Sequence, residues 1–471
     1  MNALKNVFPL LLGLLLLFSL PTVAQKKLSS EHRAAIDKLF ENWQDSSHPG
    51  VVMAMLQNDE VVYQEAYGAA DLASGAPNTL ATKFNMGGLS KSFVAYAILQ
   101  LEQQGKLQLN QDIRQHLPQL PQYDQVVTIN HLLNHCSGIS DFFNLKYLAG
   151  WRINDQLTHA EALQFISQQQ KLDYQPGTAF NVSRSNITLL VEIIQNVTEQ
   201  TFEEYCKANI FEPLQMNTTE FVRNTDQIVE NGAVAYQNDE GTFHRNMPTL
   251  GTIGLTNLYT NVNDYTKWIQ HLDHPKSNTA LIKKFKQPAK NDLGKTFTPP
   301  NGTLTVGQEY LHSERGMDNV FWQYGRIGGY ACGYFRFEDG DVSTFVMGNS
   351  GMGYNAYLAI MSAYVLLEDQ FSEAAVFDFA SMPKIDIPSA KLDTYCGNYW
   401  DHLAATSRRV YVENDTLWYA RPEQNYRSAL LPIDQHTFRM YSEGDEKILV
   451  RFDENAGQQQ MTYLFSHSDE I

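Results

Sequence analysis

The sequence has few cysteines and lacks the patterns that mark a metal centre. Its 471 residues include four cysteines, Cys136, Cys206, Cys332 and Cys396, without the close pairs of a zinc knuckle or the density of a disulfide scaffold. The 13 histidines form no H-E-x-x-H pattern. We therefore expect no metal and no cofactor, and we interpret the cysteines as small buried residues.

Positive charge and long apolar runs are also scarce. Lys and Arg number 35 against 52 Asp and Glu, which gives a formal net charge of −17. This balance argues against a nucleic-acid partner and against attraction to anionic lipid. After residue 25 no apolar run reaches the ~20 residues of a membrane-spanning helix. We therefore expect no membrane span in the mature chain.

Residues 1–24 have the three-part pattern of a secretory signal peptide. Lys5 precedes an apolar run from Leu10 to Leu20, and small residues follow before Gln25. A membrane anchor is the alternative, which the shortness of the run disfavours. The pattern predicts a protein that is secreted or periplasmic.

The stretch FNMGGLSKSFVAYAILQLEQQGKL, residues 84–107, organises the chain. Gly87 and Gly88 predict an irregular turn that opens a helix, and Gly105 is its expected end. Four apolar residues recur at helical spacing and predict a buried face: Phe93, Ala97, Ile98 and Leu101. Lys91 lies about one turn after Gly88, so both positions face the same way.

This stretch resembles the F-x-x-G-S-x-x-K-x-F-T-A helix of the serine β-lactamase, penicillin-binding protein and esterase family. Phe84, Gly87, Lys91 and Phe93 fall in register. Four further blocks follow in the family order: residues 129–139, 176–180, 209–219 and 254–264. The resemblance implies an α/β fold, in which an antiparallel sheet is flanked by helices and carries a helical insert.

The catalytic motifs of the family are altered here. The resemblance assigns the nucleophilic serine, which passes its proton to the lysine, to the place that Gly88 holds. Counting from Phe180, the tyrosine and asparagine places hold Val182 and Arg184. In an alternative alignment, Ser185 and Asn186 take the serine and asparagine places of the motif. The following Leu189-Leu190 pair then falls out of phase with the Leu-Leu pair of the family.

The third motif of the family is also altered in this sequence. Arg326-Ile327-Gly328 takes the place of the usual K-T-G or H-x-G. Of the serine, lysine, tyrosine and asparagine on which the family's acyl transfer relies, only Lys91 remains. Lys91 is thus the one candidate catalytic residue, and whether the protein is an enzyme stays open.

The replacements suggest a binding site. If the three motifs converge as in the family, Lys91, Arg184 and Arg326 face one cleft. Gly88, Ser90 and Gly328 are the other expected ligand-binding residues. Such cations bind carboxylate, sulfate or phosphate. The leading hypothesis is a non-catalytic binder of a small anionic or peptidic, cell-wall-like ligand. The alternative is that each cation is neutralised by a nearby acid such as Asp141 or Glu314, or points to solvent.

Two other functions stay open. An active serine-hydrolase-type enzyme, such as an esterase, peptidase or β-lactamase-like protein, would need an unconventional nucleophile such as Ser90 or Cys136. A protein-interaction module with a vestigial cleft is the other alternative. The ligand, the oligomeric state and a disulfide between Cys136 and Cys332 also stay open.

The composition changes near the end of the chain. Residues 25–378 form the predicted family domain, and residues 379–391, which include Pro383 and Pro388, predict a linker. Residues 392–471 alternate polar and apolar positions around turn residues such as Asn414-Asp415. This last segment resembles the small all-β, barrel-like domain that many family members carry.

Overall fold

The computed structural model describes residues 28–43, 46–152, 155–239, 241–273, 279–298, 302–314, 317–350, 354–370, 382–401, 406–421, 426–441, 447–455 and 458–465. The helices are α1 (Ser30–Leu39), α2 (Lys91–Gln103), α3 (Ile129–Leu133), α4 (Phe142–Leu148), α5 (His159–Ser167), α6 (Arg184–Thr198), α7 (Phe202–Cys206), α8 (Val262–Asp273), α9 (Ala280–Phe285), α10 (Tyr354–Leu367) and α11 (Ser389–Leu392). The predicted signal peptide, residues 1–24, lies outside the described residues.

The strands of the first part of the chain are β1 (Val51–Gln57), β2 (Glu60–Tyr67), β3 (Ala69–Asp71), β4 (Ala76–Pro77), β5 (Phe84–Asn85), β6 (Leu157–Thr158), β7 (Glu220–Phe221), β8 (Tyr236–Asp239), β9 (Thr242–Arg245), β10 (Leu250–Gly251), β11 (Leu258–Thr260), β12 (Thr303–Leu304), β13 (Tyr310–Glu314), β14 (Met317–Ile327), β15 (Tyr330–Phe337) and β16 (Val342–Gly348). The C-terminal strands are β17 (Gly397–Asp401), β18 (Thr406–Glu413), β19 (Thr416–Arg421), β20 (Tyr426–Pro432), β21 (Thr437–Tyr441), β22 (Lys447–Asn455) and β23 (Gln458–Phe465).

A seven-stranded antiparallel sheet forms the centre of the larger unit, in the order β12-β13-β14-β15-β16-β1-β2. Strands β1 and β2 form the hairpin that Asn58-Asp59 between two strand-like apolar runs predicts, and these two residues have φ 53° and 63° in its turn. Both residue types tolerate this left-handed conformation, which matches the twist of the strands. Strand β1 then pairs with β16, so the two ends of the domain meet in mid-sheet.

Helices cover both faces of this sheet. Alternate residues of β1 enter two different cores, with Val52 and Ala54 on the side of α2 and Val51 and Met53 on the side of α1 and α10. The continuous apolar run VVMAML is typical of a strand that is buried on both faces. The family-type α/β architecture predicted from the sequence is confirmed.

Helix α2 lies in the middle of the larger core. Its four predicted apolar residues are fully buried, and Phe93 stacks on Trp268 with ring centroids 4.3 Å apart. The helix is entered through a single 3-10 turn, Gly87–Ser90. Because its interior positions are buried on nearly every side, α2 holds its first residues in one place relative to the sheet.

The C-terminal strands β17 to β23 pair in sequence order into a second antiparallel, barrel-like sheet. It encloses its own core, in which Tyr395 packs on Phe452 and Phe438. The small all-β domain is thus confirmed as a fold. Residues 379–381 of the predicted linker lie outside the described residues. Helix α11 begins at Ser389, which is inside the predicted linker and not beyond its end.

Other sequence predictions meet corrections. The apolar spacing of residues 31–43 predicts one amphipathic helix, but α1 ends at Leu39 and a 3-10 turn at Glu41–Trp43 follows it. All four cysteines are free, which excludes the suggested Cys136–Cys332 disulfide in this structure. Among the described residues, no helix combines the length and the apolarity that crossing a membrane requires.

Candidate ligand-binding site

The turn before α2 brings the chain directly against strand β14. Gly87 has φ 51°, and the side chain of Asn85 accepts a hydrogen bond from its N–H at 2.9 Å. A Cβ on Gly87 would lie 2.9 Å from the backbone nitrogen of Arg326. Both the left-handed conformation and this close approach therefore require glycine at position 87.

Gly88 is in a different situation from its neighbour. Its φ lies outside the left-handed region, and a Cβ there would lie 3.3 Å from the carbonyl oxygen of Tyr324 and 3.6 Å from Lys91 Cε. A serine side chain could therefore be built at position 88 with a small adjustment. As a glycine, residue 88 itself supplies no hydroxyl group to the lysine.

Lys91 keeps part of its side-chain surface accessible, although its surroundings exclude most water from the amine. Burial, and then the nearby positive charge of Arg184, lower the pKa of Lys91 to about 8. No hydrogen bond or ion pair joins this amine to any other described residue. The site thus holds a cationic group whose charge is not compensated locally.

Arg184, which begins α6, is held by the aspartate that caps α4. Its Nη1 lies 3.2 Å from Asp141 Oδ1, and its backbone N–H donates to Asp141 Oδ2 at 2.6 Å. The guanidinium lies over the ring of Phe143, 4.3 Å from its centroid. Asp141 also accepts from the N–H of Asn144. Of the two hypotheses from the sequence, neutralisation by a nearby acid therefore fits Arg184 better than an unpaired cation in the cleft.

The third predicted cation lies further out. Arg326 is exposed near the end of β14, with no ion pair to a described residue. Gly328 has φ 54° in the β14–β15 turn, and a Cβ there would lie 2.4 Å from the carbonyl oxygen of Asn246. The structure therefore brings Lys91 and Arg184 together, while Gly328 shapes a covered turn.

Ser90 and Ser92 flank Lys91 in sequence but are bonded elsewhere. Ser90 is completely buried, and its Oγ accepts a long hydrogen bond, 3.4 Å, from the N–H of Leu258. Ser92 donates to the carbonyl of Gly307 at 2.8 Å and accepts from Gln323 Nε2 at 2.7 Å. The two hydroxyl groups therefore join the 3-10 turn and the start of α2 to neighbouring segments.

A buried polar network beside Lys91 was missed by the sequence interpretation. His135 Nδ1 lies 3.2 Å from the N–H of Ser183 and 3.1 Å from Asn186 Nδ2, both of them donors. Its Nε2 lies 2.7 Å from Gln308 Oε1, whose amide nitrogen donates to backbone carbonyls. This pattern requires a neutral imidazole with the proton on Nε2.

The electrostatics of His135 agree with this tautomer. Burial, and then the charge of Lys91, lower the pKa of His135 to about 4. Asn186 also accepts from the Ser137 hydroxyl at 2.6 Å, which links the segment after α3 to α6. A signal was present in the sequence, since His135 and Ser137 lie in the block of residues 129–139 that resembles the family.

Cys136 is poorly suited to act as a nucleophile. Burial, and then the charge of Asp292, raise the pKa of the Cys136 thiol to about 12, so this thiol stays protonated near neutral pH. Over the described ranges, no group of three or more His, Cys, Asp or Glu side chains is arranged to hold a metal ion.

The fold and the site define an α/β protein with a lysine on the first turn of its central helix, next to a glycine turn that packs against strand β14. The chain matches the Beta-lactamase family over residues 36–363. It therefore belongs to the β-lactamase family.

Individual relatives agree with this assignment. Protein flp of Staphylococcus aureus (strain N315) is 29% identical over 311 residues, which cover 62% of this chain and 60% of flp. The chain thus matches less than two thirds of the length of that relative. A D-aminopeptidase of Gluconobacter oxydans (strain 621H) is 27% identical over 226 residues, 48% of this chain and 42% of that protein.

Solved structures show the same fold. The octameric penicillin-binding protein homologue from Pyrococcus abyssi aligns with a TM-score of 0.63 and 20% identity, over 92% of this chain and 98% of that chain. FmtA from Staphylococcus aureus aligns with a TM-score of 0.58 and 18% identity, over 74% of this chain and 93% of that chain. At these identities the likeness describes the fold alone.

Proposed function

We propose that this chain is a non-catalytic member of the β-lactamase family that binds a small anionic or peptidic ligand, such as a cell-wall fragment, at the start of α2. The observation that carries the proposal is the Lys91 amine. It lies beside the backbone of Gly88, and its charge has no partner among the described residues.

The loss of acyl transfer follows from the side chains near this lysine. Gly88 has no hydroxyl group to form an acyl-enzyme. Ser90 is buried and bonded to the backbone of α2's neighbouring strand β11, and Cys136 is a protonated thiol. None of these groups supplies an activated nucleophile next to Lys91, so the hydrolase alternative has less support.

The preference for an anion follows from the local charges. Arg184 is compensated by Asp141, whereas Lys91 has no counter-charge and is disfavoured as a cation by burial and by Arg184. A ligand carboxylate next to Lys91 would supply the missing charge and raise the pKa of the amine again. Binding near pH 8 should therefore take up a proton. The similar proteins include a penicillin-binding protein homologue and a D-aminopeptidase, which supports testing peptides first.

Isothermal titration with D-alanyl-D-alanine and with its C-terminal amide tests the proposal. We expect the free carboxylate to bind at least about tenfold more tightly than the amide, because a charged partner contributes about 1.5–3 kcal/mol. Lys91→Met should remove this difference, while Lys106→Met, a change at an exposed lysine, should preserve it. Equal affinity for both peptides in the wild type and in the Lys91 variant would contradict a carboxylate site.

The other two functions give different results with the same protein. A covalent adduct of the wild type with a fluorophosphonate or a penicillin, detected by intact-mass spectrometry, would establish an active hydrolase. If no small ligand binds and a protein partner still requires the cleft residues, the interaction-module alternative would replace the proposal.

A further inference from the structure

A small cavity lies inside the connection between α2 and α3. Its volume is about 210 Å³, and its lining comes entirely from two short segments, residues 112–114 and 122–127. The N–H of Ile113 donates to the carbonyl oxygen of Val127 at 2.9 Å, so a backbone hydrogen bond closes the base of this loop. The cavity shares no lining residue with the site around Lys91.

Two buried polar groups of this lining have no partner. The hydroxyl group of Tyr123 and the Nε–H of Arg114 are both buried, and neither forms a hydrogen bond with a described residue. Tyr123 is only 8% exposed, and its ring belongs to the larger core. Buried donors nearly always have an acceptor in folded proteins. These two donors therefore indicate that the cavity holds an occupant with acceptor atoms.

The donors are suited to a carboxylate. Burial raises the pKa of Tyr123 to about 12, so its hydroxyl group stays protonated near neutral pH and can donate. The guanidinium of Arg114 is always charged, and across the described ranges no acid forms an ion pair with it. A carboxylate has two oxygens and can accept from both groups at once.

The same cavity also has an acidic side, formed by Asp112 and Asp124. Asp112 Oδ1 accepts from the backbone N–H of Arg114 at 2.9 Å. Asp124 is exposed and has no hydrogen bond or ion pair to another described residue. These carboxylates repel a simple anion and attract an ammonium group. The charges of the lining thus match a molecule that carries both signs.

We infer that this cavity binds a small zwitterionic amino acid, such as glycine or alanine. Its carboxylate accepts from Tyr123 and Arg114, and its ammonium group lies on the side of Asp112 and Asp124. Water is the competing occupant, because a molecule of liquid water takes up about 30 Å³ and several would fill the same volume. The inference concerns a second site and does not rest on the proposed function.

Saturation-transfer NMR on the full-length protein tests the inference with three probes: glycine, acetate and methylammonium. We expect glycine to bind at least about tenfold more tightly than either of the others, because each of them carries only one of its two charges. Tyr123→Phe, which removes only the hydroxyl group, should weaken glycine binding at least about tenfold. Tyr147→Phe, the same change at a tyrosine that is 63% exposed, should leave it unchanged.

Two further measurements separate loss of the site from loss of the fold. Tyr123→Phe should unfold at the wild-type temperature without glycine, because its hydroxyl group has no protein partner. Arg114→Gln should also weaken glycine binding. The inference is wrong if glycine does not bind at millimolar concentrations, if acetate binds as tightly, or if Tyr123→Phe binds glycine like the wild type. A crystal soaked in glycine that shows only water in the cavity would also overturn it.

Discussion

The side chain of Lys91 runs alongside the backbone of Gly88, so that a Cβ at position 88 would lie 3.6 Å from Lys91 Cε. The spacing of nucleophile and lysine that the family resemblance implies is thus present in three dimensions, with the hydroxyl group missing. Because the backbone at Gly88 does not require glycine, whereas the φ of 51° at Gly87 does, position 88 affects chemistry more than folding.

Replacing Gly88 with serine should install a nucleophile without harming the fold. We expect Gly88→Ser to gain a covalent adduct with a fluorophosphonate, seen by intact-mass spectrometry, because the Lys91 amine lies within reach to accept the serine proton. The free energy of unfolding should change by less than about 1 kcal/mol, since losing glycine also restricts the unfolded chain. Gly88→Ala is the matched control and should stay unlabelled.

Asp141 should stabilise the protein through Arg184 and the start of α4. Asp141→Asn keeps the shape of the buried side chain but weakens the charged bonds to Arg184 and to the N–H of Asn144. We expect the free energy of unfolding in urea to fall by about 1–3 kcal/mol. Asp124→Asn, at an exposed aspartate, should change it by less than about 0.5 kcal/mol. Equal effects would mean that the ion pair adds no stability.

His135 should make the protein sensitive to acid. Its pKa is about 4 in the folded state against an ordinary 6.5, so between these pH values the unfolded chain binds a proton that the folded chain does not. Stability should therefore fall as the pH drops from 6.5 to 4, by on the order of 2–3 kcal/mol from this group. His135→Asn tolerates the φ of 55° at this position and should remove this part of the pH dependence.

The measurement is a set of denaturation curves at several pH values, and a variant at a second histidine is its control. His244 is exposed, and His244→Asn should leave the acid dependence of the wild type unchanged. The His135 variant should also be less stable at pH 7, because Gln308 Oε1 and the N–H of Ser183 lose their partner. An unchanged pH profile for His135→Asn would show that the buried imidazole is not the group responsible.

Gly325 should be needed for the contact between β14 and the turn before α2. A Cβ at Gly325 would lie 2.1 Å from the carbonyl oxygen of Met86, which no side-chain rotation can relieve. We expect Gly325→Ala to cost more than about 3 kcal/mol or to prevent folding. Gly397→Ala, where the nearest atom would be 3.9 Å away, should cost less than about 1 kcal/mol in thermal or urea unfolding.

Much of the fold follows from local patterns in the sequence. The β1–β2 hairpin depends on an Asn-Asp turn between apolar runs, and α2 depends on helical spacing after a glycine pair. The nearness of Lys91 to Gly88 is also local, since three residues span nearly one helical turn. Each of these features involves residues close in the chain, so periodicity and turn chemistry were enough to predict it.

The charge state of the cleft could not be predicted in this way. Arg184 was expected as a cation of the cleft, but its partner Asp141 lies 43 residues earlier and was only one of the possible acids. His135 meets Gln308 across 173 residues, and no spacing rule connects them. The backbone of Arg326 lies against Gly87, yet the direction of its exposed side chain depends on the register of β14.

By itself, the sequence determined that this chain carries the β-lactamase scaffold and that Gly88 lies about one helical turn before Lys91, because motif order and helical spacing are properties of the chain alone. Only the tertiary structure decided which charges remain uncompensated. It pairs Arg184 with Asp141 and leaves Lys91 without a partner among the described residues, since ion pairs and burial depend on which distant segments pack together.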